Sequence, residues 1–146
     1  MTADDRVTLT TAWPLFGLRI RSERLVLRLP TDDDLVELMA VAKAGIHPPG
    51  EMGFGREMRA AVLAFAFDAL GAQIALTEAF LDNAASNGVS RSLGYEENGR
   101  GALAPEGVAR ETQRFRMTVE RWQARPWPPI EIQGLDPCLA MFGVEP

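Results

Sequence analysis

Cysteine and histidine occur once each in this chain. The single thiol, Cys138, has no internal partner for a disulfide and no companions for a multi-cysteine metal site. Such sparse cysteine suits a reducing compartment, so the chain reads as cytoplasmic. The single imidazole, His47, excludes a histidine-rich metal centre and leaves a Ser-His-Asp triad only one possible base. No metal is expected. Positive charge is in deficit, with 15 basic against 20 acidic residues, a net charge of −5 and a pI near 4.9. That excludes a general nucleic-acid binder, which needs a basic face. Arginine nevertheless far outnumbers lysine, which leaves room for a local anion site. Long apolar runs are missing too. The longest, Ala60 to Phe67, falls far short of the ~20 residues of a membrane helix. The start, Met1 to Arg6, is polar and acidic, unlike a signal peptide. Neither a repeat nor a low-complexity tract is present.

What remains is ordinary globular material. The 146 residues are 47% hydrophobic and 24% charged, the size and balance of one domain. Arg24 to Leu29 reads as a strand ended by Pro30. Thr31-Asp32-Asp33-Asp34 spells a capping box, and Leu35, Leu38, Met39 and Ala42 follow on one helical face. His47-Pro48-Pro49-Gly50-Glu51 is a loop. Glu57 to Leu70 is apolar on nearly every side, as a buried helix is, and Gly71 ends it. Gln73 to Phe80 is a short buried strand. A helix capped by Asp82 or Asn83 runs from Ala84 to Leu93 and stops at Gly94. Tyr95 to Ala102 and Arg110 to Val119 form a hairpin turning at Pro105-Glu106-Gly107, with Phe115, Met117 and Val119 on one face. Beyond Trp122, Pro126, Pro128, Pro129 and Pro137 predict an irregular tail anchored by Trp127, Ile130, Ile132 and Phe142. The fold class is α/β (α+β), with about four strands and three helices. Residues 1–122 are expected to form one domain and 123–146 a Pro-rich tail packing on it.

Two stretches resemble the GNAT acetyltransferase superfamily, and within it the ribosomal-protein alanine acetyltransferase (RimJ/RimL-like) branch. One is Gly55-Arg56-Glu57-Met58-Arg59-Ala60-Ala61-Val62-Leu63. The other, more specific, carries Asn83-x-x-Ser86-x-x-Val89-x-x-x-Leu93-Gly94-Tyr95. The opening Arg24-Leu25-Val26-Leu27-Arg28 with its Asp-rich cap matches the same branch. The resemblance runs from about Arg21 to Trp122, with one break. A family member has three further strands and a glycine-rich loop before the buried helix. Here about a dozen residues separate the two helices, too few for three strands. Gly53-Phe54-Gly55 is what remains of that loop, and Gly50 stands where an Arg or Gln belongs.

The resemblance implies acetyl transfer from acetyl-CoA to a primary amine on a small molecule or peptide. Backbone N–H groups around Gly53 and Gly55, with charge from Arg56 and Arg59, would hold the cofactor's pyrophosphate at a helix N-terminus; the plainer reading of Gly53 and Gly55 is a flexible joint. Asn83 and Ser86 would support the pantetheine, Asn83 serving equally as an N-cap. Ser90 stands near the thioester sulfur where the family often has a tyrosine acid; otherwise it is a small residue for close packing. Glu78 and Glu51 are the candidate bases for the attacking amine, or else ordinary surface carboxylates. His47 is a base or substrate contact, or a solvated loop group. The alternative function is a degenerate GNAT fold without acetyl transfer, acting as a binding or assembly module or using the remaining pocket for other chemistry. A short sheet leaves a strand edge without partners, so a homodimer is expected across the Glu57–Leu70 helix or the exposed edge.

Overall fold

The computed structural model describes residues 10–44 and 53–145. In chain order the regular elements are β1 (Arg19–Arg21), β2 (Val26–Arg28), α1 (Asp32–Lys43), α2 (Phe54–Ala64), β3 (Ile74–Phe80), α3 (Ala84–Leu93), β4 (Glu96–Leu103), β5 (Arg110–Thr118), α4 (Val119–Gln123) and β6 (Glu131–Gln133). The fold is mixed α/β with two small antiparallel sheets, ordered β2-β1-β6 and β3-β5-β4. The elements fall into two compact units, one from Met1–Met52 with Pro129–Pro146, the other from Gly53–Pro128.

The first unit is built from very short strands. β1 is central, with Ile20 opposite Leu27 on one side and Ile132 on the other. Ile20 is the buried member of that row. β1 and β6 raise the strand count among the described residues to six, above the about four expected from the sequence, and the tail is not wholly irregular. Three-residue strands flanked by charge carry too little alternation to be seen in advance. Helix α1 starts on the expected capping box: Thr31 Oγ1 accepts from Asp34 N–H, and Asp34 accepts from Thr31 N–H. Its apolar side chains remain largely exposed, with Leu38 and Met39 each above half.

The second unit holds most of the core. α2 continues into a π-helical turn, Phe65–Ala69, before Gly71 takes φ 71°. Ala61, Leu63, Ala64, Phe65 and Phe67 are buried, whereas Met58 and Val62 are about half exposed, so the long helix has one open side after all. β5 is the centre of the sheet, and Phe115 and Met117 on one face are fully buried. Trp122 completes this core. It stacks on Phe67 at 5.8 Å and on Trp127 at 4.1 Å, and its Nε1 donates to Asp68 Oδ1 at 3.0 Å. The helix α3 runs between the ends predicted for it. Asn83 Oδ1 accepts from Ser86 N–H at 3.1 Å, and Gly94 closes the helix with φ 90°. A side chain at Gly94 would meet the Arg125 guanidinium, which itself donates to Leu93 C=O.

Candidate functional site

The residues singled out in the sequence separate into two groups on opposite faces of the β3-β5-β4 sheet. Side chains alternate along β5, so Phe115 and Met117 face one way and Arg114 and Arg116 the other. α3 lies on the Phe115 side: Arg91 sits 5.6 Å from the Phe115 ring and pairs with Glu97, the residue opposite Phe115.

On that side, α2 and α3 are joined by one guanidinium. Arg59 Nη1 donates to Ser90 Oγ at 2.6 Å and Nη2 to Ser86 Oγ at 3.3 Å. The Ser90 hydroxyl in turn donates to Ser86 C=O at 3.2 Å. Ser90 is fully buried, and Arg59 and Ser86 are half-buried. Neither bond of Arg59 goes to a carboxylate. Tyr95 lies beside this cluster, its N–H bonded to Ser90 C=O at 3.1 Å. Burial pushes the Tyr95 phenol up, and the positive charge of Arg59 pulls it partly back. The sequence offers Arg56 and Arg59 alike as sources of charge. The structure separates them: Arg56 is exposed, one turn earlier on α2, while Arg59 reaches both serines. The signal available was spacing, since three residues separate the two and only tertiary packing decides which turn faces α3.

The start of α2 has the makings of an anion site. Gly53 is the N-cap with φ 70° and, having no side chain, makes no side-chain cap hydrogen bond. A Cβ at Gly55 would meet nothing within 4 Å. Gly53, Gly55 and Arg56 are thus together at this end, with Arg59 one turn on. Asn83 spends its side-chain oxygen on the α3 cap. One turn along, Asn87 is buried; its Nδ2 donates to Phe80 C=O at 3.0 Å and its Oδ1 has no partner among the described residues.

Glu78 lies on the other face, paired in register with Arg114. Thr112 Oγ1 donates to Glu78 Oε2 at 2.9 Å, and Arg114 Nε stands 3.6 Å from the same oxygen. Arg114 lies across bare Gly101, where a Cβ would stand 2.6 Å from the guanidinium. Glu78 and Arg114, with Leu76, Thr77, Asn98 and Phe115, line an open cavity of about 250 Å³. Glu78 and Ser90 are therefore not brought together. Glu51 and His47 lie outside the described residues. Cys138 is buried, its thiol pushed up by burial and its sulfur 3.3 Å from Gly134 C=O. Among the described residues no group of three His, Cys, Asp or Glu is placed to hold a metal, and no helix is long and apolar enough to cross a membrane.

No family model matches this sequence. Among solved structures, the chain is similar to a GNAT-family acetyltransferase from Bacillus anthracis, at 16% identity and a TM-score of 0.45 over 47% of this chain and 42% of that one. It is similar to the ribosomal-protein-S5-alanine acetyltransferase of Vibrio fischeri, at 18% identity and a TM-score of 0.45, covering 51% and 40%. A GCN5-related N-acetyltransferase from Brucella melitensis aligns at 22% identity and a TM-score of 0.44, covering 48% and 33%. The chain spans less than half the length of each of these proteins.

Proposed function

We propose that this chain is an N-acyltransferase of GNAT type, moving an acetyl group from acetyl-CoA to a primary amine. The observation that carries the reading is the α2–α3 seam. The helix spelled Asn83-x-x-Ser86-x-x-Val89-x-x-x-Leu93-Gly94-Tyr95 presents Ser86 and Ser90 to Arg59, on the helix that begins at Gly53 and Gly55.

Acetyl-CoA supplies the activated carbonyl. The first turn of α2 after Gly53, with Arg56 exposed beside it, suits a phosphate group, because backbone N–H groups and the helix dipole favour an anion there. Arg59 adds charge one turn further along the same helix. Its guanidinium donates to Ser90 Oγ and stabilises the oxyanion left when that hydroxyl gives up a proton. Ser90 thereby becomes a better proton donor than an isolated serine, once its hydroxyl turns from Ser86 C=O towards a leaving sulfur. Proton removal from the amine is not assigned to Glu78, which faces the other side of the sheet and is engaged by Thr112 and Arg114.

Calorimetric titration with acetyl-CoA tests the reading. Saturable binding that weakens in Arg56→Ala and Arg59→Ala supports it. Absence of binding at millimolar cofactor overturns it.

A further inference from the structure

The edge of the sheet at β3 carries an inference that does not depend on acyl transfer. β3 pairs with β5 and with no other described strand. Val119 N–H bonds Gln73 C=O at 3.0 Å, and Leu81 N–H bonds Glu111 C=O at 3.1 Å. In an antiparallel ladder a residue's N–H and C=O point the same way and successive residues alternate. Odd-numbered residues of β3 therefore face β5, and Ile74, Leu76, Glu78 and Phe80 turn their backbone groups outward. Phe80 C=O is taken by Asn83 N–H and by Asn87 Nδ2. No described residue bonds the outward groups of Ile74, Leu76 or Glu78. This edge also lacks the usual protection. Ile74–Phe80 contains no Pro, Lys or Arg, and the Ile74 and Leu76 side chains are 52% and 69% exposed.

We propose that two copies of this chain pair their β3 strands antiparallel about a two-fold axis at Thr77, joining two three-stranded sheets into one of six strands. The strand is complementary to itself in this register. Ile74 stands opposite the partner's Phe80, Leu76 opposite the partner's Glu78, Ala75 opposite the partner's Ala79, and Thr77 opposite its own copy. The outward-facing residues 74, 76, 78 and 80 then meet one another, as hydrogen-bonded pairs require. Across the exposed face the row reads Arg116, Leu76, the partner's Glu78, the partner's Arg114, so no like charges adjoin. A register shifted to centre on Glu78 sets two carboxylates directly opposite, which is unfavourable, and leaves part of the strand unpaired. With the axis at Thr77 both Leu76–Glu78 pairs are fully bonded, and Phe80 N–H, whose own C=O is engaged within the chain, donates to the partner's Ile74 C=O. An unrelated extended peptide has no reason to match this length and charge pattern. The pairing also brings the partner's Leu76 beside Glu78, on the rim of the cavity lined by Glu78, Arg114 and Asn98.

Sedimentation equilibrium on the chain at micromolar concentration is expected to give twice the 16.0 kDa chain mass. Leu76→Pro removes an outward N–H without touching the bonds to β5, and Leu76→Lys places a charge on the edge. Both are expected to give monomers; if Leu76→Pro loses its circular dichroism, Leu76→Lys decides. Thr77→Cys is expected to form a disulfide-linked dimer under mild oxidation, against the parent chain, whose Cys138 is buried, as control. A monomeric parent chain overturns the proposal, including one that binds an added peptide at this edge. A dimer that survives Leu76→Lys, or a Thr77→Cys chain that does not cross-link, overturns it as well.

Discussion

Arg59 on α2 and Ser90 on α3 are joined by a 2.6 Å hydrogen bond, the shortest link across the seam between the two helices. Its donor is charged, and its acceptor is a fully buried hydroxyl that already gives its own proton to Ser86 C=O. Replacing Arg59 with alanine leaves Ser90 and Ser86 without that donor. The expected loss is about 1.5–3 kcal/mol of stability, the range for hydrogen bonds that involve a charged group. Arg59→Lys should recover part of it, because one ammonium cannot hold both hydroxyls in the fork geometry of a guanidinium. Urea denaturation of the three chains measures the order.

The phenol of Tyr95 offers an independent readout of the same cluster, since it is the one tyrosine of the chain. Burial raises its pKa and Arg59 lowers it. Arg59→Ala is therefore expected to move the alkaline ultraviolet titration of Tyr95 further up. The sign for stability follows. A group whose pKa is raised on folding favours the native state fully below its unfolded value, about 10. That contribution disappears as pH rises through the folded value. A downward shift of the Tyr95 titration in Arg59→Ala would contradict the arrangement.

Acid is expected to weaken the capping of α1. Arg28 forks onto Asp34, with Nη1 to Oδ2 at 2.5 Å and Nη2 to Oδ1 at 2.7 Å, and Thr31 adds N–H and hydroxyl donors. The Arg28 bond first, and the Thr31 bonds after it, hold the Asp34 carboxyl well below the usual carboxylate range. A depressed pKa stabilises the fold above the unfolded value, about 3.9, and that contribution is lost as pH falls through the folded value. Asp34→Asn should flatten this part of the pH profile of thermal unfolding below pH ~4 and leave the neutral region nearly level.

Removing the cap of α3 tests the local basis of the site. Asn83→Ala frees Ser86 N–H and is expected to cost about 1 kcal/mol. Asn83→Asp keeps the acceptor and places a negative charge at a helix N-terminus, so it should match or exceed the parent chain. Denaturant midpoints for both substitutions give the answer.

Local rules made the second unit readable and the first largely unreadable. α3 was legible at both ends because an Asn cap and a Gly stop are chemical requirements of the helix itself. The β4–β5 hairpin was legible because Phe115 and Met117 alternate with arginines and a Pro-Glu-Gly turn precedes them. β1 and β6 were not. Ile20 and Ile132 meet across more than a hundred residues of chain, and nothing in either triplet names the other. The candidate site divides the same way. Ser86 and Ser90 could be placed on one helix from spacing alone. That Arg59 reaches them, and that Glu78 faces away, depends on how α2 and β3 pack, which spacing does not encode.

The π-helical turn at Phe65–Ala69 bears on how this chain tolerates changes in length. Leu70 N–H reaches Phe65 C=O five residues back, and Ala72 N–H reaches Ala66 C=O. Such a turn holds one residue more than an α-helix would over the same rise. Deleting a residue inside it restores regular winding there, whereas deleting one inside Phe54–Ala64 rotates everything beyond it by about 100°. The Phe65–Ala69 turn is thus the place in this helix where a single-codon loss is most easily absorbed. The residue it would sacrifice is the slack that lets Phe65 and Phe67 both enter the core while Asp68 stays turned toward the Trp122 indole.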